Sequence, residues 1–472
     1  MARRGGRLGI GERLTFAAGD VFVGGASSLI AVLYLIFLTD VVRLAPGLAG
    51  TAVLVAKMWD AINDPLMGAI SDRTRTRFGR RRPYVFVGAL LLIPAMALLW
   101  LPWPVFDSQI GLMIWAMVSY IAYNTVQTVI GVPYASWSSE ITVDYDDRNK
   151  VNTTRLLFST VASASVTLGA AFLFDRYRSG ALGIGELYAS IVLGFGTVFT
   201  ACMLAVALVC RERVPVPTQR ERFSWRTFVA PLRTRALRTL LGMYLCQALA
   251  MDIVSATVLY YALYVVPGAN SQVFLGIFIA VNVVAFPVVT WLVGRISKTT
   301  VYATLIPLAL LAAVGIAVYP AGGAVVGVYV LALALAVGMA GAQLMSWVMF
   351  PDVLDAAELC SGQRNAGSYA GLMTFTRGIA SALVIQALGL VLQFTGYVAP
   401  GHGEAASQPT SAVWGIRVFM GVGIIALLSL GWVVSRRHPL TRDVCLANQA
   451  ELARVREARD APLVERHHDP GE

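Results

Sequence analysis

The chain has 472 residues, of which 57% are hydrophobic and only 14% charged, against about 25% charged in an ordinary soluble domain. With a mean hydropathy of +0.68, this balance excludes a water-soluble globular protein. The net charge of +10 would suit nucleic acid, but the basic residues sit in short loops between apolar runs, which is the positive-inside pattern of a membrane protein; no nucleic-acid partner is expected.

Twelve apolar segments of roughly 20 residues follow one another, near 14–38, 47–70, 83–103, 109–137, 154–176, 183–210, 236–265, 271–294, 299–319, 323–350, 367–395 and 411–435. The N-terminus resembles a signal-peptide n-region. No small-residue cleavage site follows it, and the apolar run is too long for an h-region, so an uncleaved first span is expected. Alternate loops are rich in arginine: the N-terminus, the loop after span two, the loop at 144–155, the linker and the tail from Arg436. The opposite loops hold little more than Arg43, Arg176, Arg178 and Arg417. Both termini are therefore expected in the cytoplasm, in a multi-pass protein of the cell (inner) membrane. The expected organisation is a six-helix bundle over 1–210, a polar linker over 211–235, a second six-helix bundle over 236–435 and a cytoplasmic tail over 436–472. The tail from Thr441 to Asp460 reads as a short surface helix.

The most informative stretch is Lys57 to Pro83, KMWDAINDPLMGAISDRTRTRFGRRRP. Asp60 and Asp64, four residues apart, share one face of a helix with Asn63 beside them. Acid within a span is costly and usually functional. Two neighbouring carboxylates in low dielectric cannot both stay charged without a counter-ion, and a hard cation held by carboxylate and amide oxygens resolves that cost. The stretch then runs into Arg73, Arg75, Arg77, Arg80, Arg81 and Arg82, a topology and gating element more than a substrate site.

A weak internal repeat is visible. Span four exits through Pro133, Glu140, Asp144, Asp147, Arg148 and Arg155; span ten exits through Pro351, Asp352, Asp355, Glu358, Arg364 and Arg377. Ion pairs among Arg77, Arg148, Asp352, Asp355 and Arg364 could lock one conformation and break in another. Span eight ends PVVTWLVGRISK, echoing PLMGAISDRTR but without the acids. If the halves are repeats, only the first holds an ion site.

WDAINDP with DRTRTRFGRRRP resembles the signature of the glycoside–pentoside–hexuronide:cation symporters, the melibiose permease-like group of the major facilitator superfamily. GD at Asp20, LTDVV at Asp40, VPY at Pro133, and the acids and arginine from Asp352 to Arg364 fall in the same order. The resemblance implies an all-α membrane protein of twelve transmembrane helices in two pseudo-symmetric bundles. It also implies a Na⁺, Li⁺ or H⁺ site at Asp60, Asn63, Asp64 and Thr128, with Na⁺ possible at Asp60 and Asp64, and no other cofactor. The family's two sugar-gripping aspartates fall at Gly24 and Gly131, and its tryptophans at Ala135 and Gln343. Arg155 matches a basic residue beside the sugar, and Arg377 replaces a lysine. A distant branch of the family imports lysolipids with sodium, and glycine in place of carboxylate keeps that cargo in view.

Several further residues are candidates for the cargo site. Asp252 is a further acid within an apolar span, suited to substrate contact or proton handling, with a helix–helix hydrogen bond as the alternative. Asp20 lies one turn from Gly24 and could replace the missing carboxylate. Tyr123, Asn124 and Gln127 could line a cavity on span four or simply pack there, and Trp347 offers a stacking face for a sugar ring. The five cysteines show no paired spacing, and the four histidines lie in loops or the tail without ligand partners. No nucleophile–base pair, metal cluster or phosphate loop is present, so an enzyme or sensor is a remote alternative. The expectation is a monomeric cation-coupled symporter, not an enzyme, for a sugar-like small molecule or an amphiphile.

Overall fold

In hydrocarbon every backbone N–H and C=O must be satisfied within its own segment, so apolar runs of this length become helices. The computed structural model describes residues 8–103, 106–138, 140–142, 145–213, 230–293, 295–320, 322–361, 366–399 and 408–460. Among these residues nine helices are long and apolar enough to cross a membrane. Span two (Pro46–Arg73), span four (Gln109–Trp137) and span eight (Ser271–Val293) complete the expected twelve. Spans two and four are each long enough to cross, roughly 42 Å at 1.5 Å per residue. They are less apolar because they carry the polar residues of the candidate site. Span one runs through Ile10–Ala18 and Asp20–Leu29 into two π-helical turns, Ile30–Tyr34 and Phe37–Val41, irregularities that are common at functional positions.

The two halves are clasped at the end opposite the arginine-rich loops. There Asp40 of span one accepts hydrogen bonds from Tyr397 (2.7 Å), Tyr264 (3.1 Å) and its neighbour Thr39 (2.8 Å), while Thr39 and Tyr260 hydroxyls lie 2.9 Å apart. Arg178 donates to Tyr264 and covers its ring. Asp175 of span five accepts from Ser271 (3.1 Å) and Gln272 (3.3 Å) of span eight. Spans two and eleven approach so closely that a methyl group added at Gly389 would sit 2.4 Å from the Pro46 carbonyl. Farther along span two one face stays buried and the other is open: Ala49, Ala52, Val53, Ala56, Asn63, Met67 and Ser71 are buried, whereas Met58 is 53% and Ile62 63% exposed.

At that end the charges organise the first half. Gly79, at φ 111°, turns the chain so that the N–H groups of Arg80, Arg81 and Arg82 all face the Glu212 carboxylate at 2.7–3.1 Å. An acid is thereby placed at the start of span three (Arg82–Leu99), where the helix dipole favours it. The Arg80 and Arg81 guanidinium groups pair with Asp72 and Glu140. In the second half Lys298 pairs with Asp352 at 2.6 Å.

One reading of the sequence needs correction here. The tail helix Arg442–Asp460 is not merely a surface helix: it packs on span ten (Val325–Ser361), and Leu452 is buried. His438 stands in a loop, as read, and is buried there with Nδ1 2.8 Å from the Thr239 hydroxyl. Cys202, Cys210, Cys246 and Cys445 are free thiols, and the Cys360 side chain lies outside the described residues.

Candidate functional site

The polar face of span two meets the polar face of span four. The Thr128 hydroxyl donates to Asp64 Oδ1 at 2.7 Å. One turn earlier Asn124 donates to the Ala56 carbonyl at 3.0 Å, and the Trp59 indole donates to Thr125 at 3.0 Å. These bonds fix Thr128 beside the carboxylates. Asn63 is buried next to Asp64. The Lys57 ammonium lies 3.7 Å from Asp60 Oδ2 and above the Tyr120 ring. Asp60 Oδ1, Asn63 Nδ2 and Asn124 Oδ1 are all buried without a hydrogen-bond partner.

Buried polar atoms are nearly always paired; here two acceptor oxygens, of Asp60 and Asn124, and the amide nitrogen of Asn63 are left without a partner. The donor set is carboxylate, amide and hydroxyl oxygen, the ligands of a hard cation. Asp60, Asn63, Asp64 and Thr128 therefore fit a small cation chemically. Lys57 is the member that sequence reasoning missed. Its signal was present, because it precedes Asp60 by three residues on an apolar span, and that spacing lets the pair meet.

Of the substrate candidates, Asp20 and Arg155 are joined directly. Arg155 Nε lies 2.6 Å from Asp20 Oδ2, the Tyr134 hydroxyl donates to the same oxygen at 2.6 Å, and the guanidinium covers the rings of Phe16 and Tyr134. Gly24 is not an opening in the wall: a methyl group there would meet the Ser159 hydroxyl at 2.5 Å and its carbonyl oxygen at 2.7 Å. Gly131 is the reverse, with nothing within 4 Å of an added methyl. Tyr123 is buried in a cluster with Tyr120, and Gln127 is half-buried on the same span.

In the second half Asp252 Oδ1 pairs with Arg377 at 3.1 Å, while Asp252 Oδ2 and Arg377 Nε are buried without partners. Trp347 stacks edge-on against Tyr244 and is 51% exposed. The structure thus places an aspartate on the first span of each half against an arginine on the fifth. Each pair is separated by 125 residues or more, so nothing in the local sequence announces it.

The gating candidates scatter. Arg77 is exposed over the Phe78 ring, and Asp352 is held by Lys298. Asp355 lies on span ten and has an interaction of its own. Arg364 and the Arg148 side chain lie outside the described residues. Asp40, quoted in sequence only as part of a motif, proves to be the centre of the clasp.

Over residues 15–442 the chain matches the family model of MFS/sugar transport proteins. It is 26% identical to a putative glycoside/cation symporter, YagG, of Escherichia coli strain K12, with 96% of this chain and 97% of that one covered. It is 22% identical to the sodium-dependent lysophosphatidylcholine symporter 1 of Gallus gallus, covering 96% of this chain and 90% of the other. Its fold is similar to that of a solved D-xylose–proton symporter, with a TM-score of 0.56 at 12% identity over 89% and 94% of the two chains. The family match runs through both bundles and the linker between them, and by it the chain belongs to the MFS/sugar transport proteins, twelve-span membrane symporters and not enzymes.

Proposed function

We propose that the protein is a monomeric inner-membrane symporter with cytoplasmic termini that moves a sugar-like solute, of glycoside or uronide type, together with Na⁺ or H⁺ by alternating access. The observation that carries the reading is the oxygen cluster itself: Asp60, Asn63, Asp64 and Thr128 together on two spans, with one carboxylate oxygen left unpaired. Lys57 supplies a resident positive charge at 3.7 Å from Asp60. An incoming cation binds the carboxylates in its place, and the loss of that ion pair frees span two to move. A potential of about 100 mV is worth about 2.3 kcal/mol per charge carried, enough for roughly 50-fold accumulation.

The cargo is held in the second half. Asp252 offers an unused acceptor, Arg377 an unused donor and Trp347 an exposed ring face, an inventory suited to a hydroxyl-rich ring. The clasp at Asp40 joins the halves at one side of the path; on the arginine bias the other side is the cytoplasmic one.

The test is substrate affinity with and without Na⁺ and at two pH values. Asp64→Asn should bind substrate without any cation enhancement and should not support uphill uptake. Asp60→Asn should behave similarly, and Thr128→Ala should alter ion preference more than coupling. Full cation-dependent affinity in Asp64→Asn would place the ion site elsewhere, with Asp252 the next position to examine.

One observation favours a second cargo. A cavity of about 500 Å³ lies between spans one, five and six, lined by apolar residues including Val21, Leu157, Val161, Ala162, Phe195 and Phe199. Such a wall suits an acyl chain better than a sugar. A thermal-shift panel of glycosides, uronides and lysolipids separates the two, since only a bound ligand raises the melting temperature.

A further inference from the structure

Beside the clasp lies another cavity, of about 350 Å³, built from both halves. Thr39, Arg43, Pro46 and Gln109 come from the first half, Gln393 and Tyr397 from the second. Thr39 and Tyr397 are the same residues that donate to Asp40, so the cavity and the clasp share a wall.

Arg43 is the charged residue of the lining. Its backbone has φ 62°, a left-handed conformation that a long L side chain rarely adopts. Strain of this kind persists only where the surroundings enforce it, and it gathers at functional positions. Here the enforcement is specific. Gln109 Nε2 donates to the Arg43 carbonyl at 3.1 Å, Gln109 Oε1 accepts the Ala45 N–H at 2.8 Å, and the Leu44 N–H bonds to the Leu38 carbonyl at 2.9 Å. The turn holds an exposed guanidinium at the cavity, and among the described residues no carboxylate pairs with it. A planar fork of donors without an acid partner matches the two oxygens of a carboxylate.

We propose that this cavity binds a small soluble carboxylate, that it is complete only while the two halves are clasped, and that its occupant therefore holds the clasp shut. A site with walls on two bodies is divided when the bodies part. A ligand that binds only one state shifts the equilibrium toward that state by its differential affinity. Such a solute, present on the clasped side, opposes opening on that side and slows uptake from it. The site is separate from the cation cluster and from the cargo position, so its test does not depend on which solute is transported.

The experiment is hydrogen–deuterium exchange on the purified full-length protein, followed at residues 39–48 and 389–397, with melting temperature as a second readout. Sodium succinate is the probe, and sodium chloride at matched sodium, brought to the same ionic strength with choline chloride, is the control. Succinate should slow exchange severalfold in both segments and raise the melting temperature; the chloride control should do neither. Arg43→Gly removes the guanidinium and suits φ 62° better, so it should melt at or above the wild type and yet show no response. Arg43→Lys keeps the charge without the fork and should weaken succinate by roughly tenfold. Unchanged exchange with succinate, or protection that survives in Arg43→Gly, overturns the proposal. A lipid phosphate could use the same guanidinium. If phosphatidylglycerol nanodiscs protect the segments, phosphatidylcholine ones do not, and succinate adds nothing, the occupant is a headgroup and the soluble ligand is refuted.

Discussion

The two halves carry the same device in different states of completion. Each sets an aspartate of its first span against an arginine of its fifth. In the first half the pair is sealed: Asp20 and Arg155 are 9% and 17% exposed, Tyr134 adds a hydrogen bond, and two rings cover the guanidinium. In the second half the Arg377 side chain is 42% exposed, and both residues keep a polar atom without a partner. A sealed pair holds a bundle together, whereas an incomplete pair is available to a ligand. On the proposed function the same two residue types would do different work, and what distinguishes the two pairs is the supply of neighbouring donors and rings.

The sharpest way to break the comparison is to remove each aspartate. Asp20→Ala leaves Arg155 buried without its counter-ion, a change that typically costs about 3–5 kcal/mol. The expected outcome is a large fall in melting temperature and poor recovery of folded protein, measured by fluorescence-detected size exclusion after heating. A variant that melts like the wild type would show that the sealed pair is not structural.

The next effect in size concerns the arginine-rich end, where the halves also differ. Both halves carry ion pairs there, but only the second, among the described residues, also buries a histidine: His438, with Nε2 unpartnered. Burial pushes the His438 imidazole down to about 4 from its ordinary 6.5. Unfolded chain takes up a proton below about pH 6.5, whereas folded chain resists until about pH 4. Stability contributed by neutral His438 is therefore full above pH 6.5, falls as the pH drops toward 4 and is flat below. The total loss is about 3 kcal/mol. His438→Gln should flatten the melting temperature between pH 6.5 and 4; an unchanged pH profile would show that other groups govern it.

The smallest stability effect is expected for Asp252→Ala. Arg377 is already well exposed and screened, so its loss of a partner should cost less than about 1 kcal/mol. Substrate affinity should nevertheless fall by tenfold or more, since a charged hydrogen bond is worth about 1.5–3 kcal/mol. The ratio of the two effects is the diagnostic quantity: Asp20→Ala should act mainly on stability and Asp252→Ala mainly on binding. If Asp252→Ala leaves binding intact and lowers the melting temperature as far as Asp20→Ala does, the two pairs are equivalent and the distinction fails.

The sequence alone determined the spans and the candidate ion site, because both are written in short-range terms. Hydropathy over about 20 residues defines a crossing, and a spacing of four places Asp60 and Asp64 on one helix face. Thr128 was reached through the family motif, and its bond to Asp64 supplied the geometry. Only the tertiary structure decided the rest. It closed Gly24 against Ser159 and left Gly131 open, though both are glycine in the sequence. It joined Asp20 to Arg155 and Asp252 to Arg377, turned the motif residue Asp40 into the centre of a clasp with Tyr264 and Tyr397, and buried His438. The physical reason is range. Hydrophobic periodicity fixes what a residue's own helix does, but the partners of a buried charge lie more than a hundred residues away, and whether that charge braces a bundle or awaits a ligand depends on how those distant helices pack.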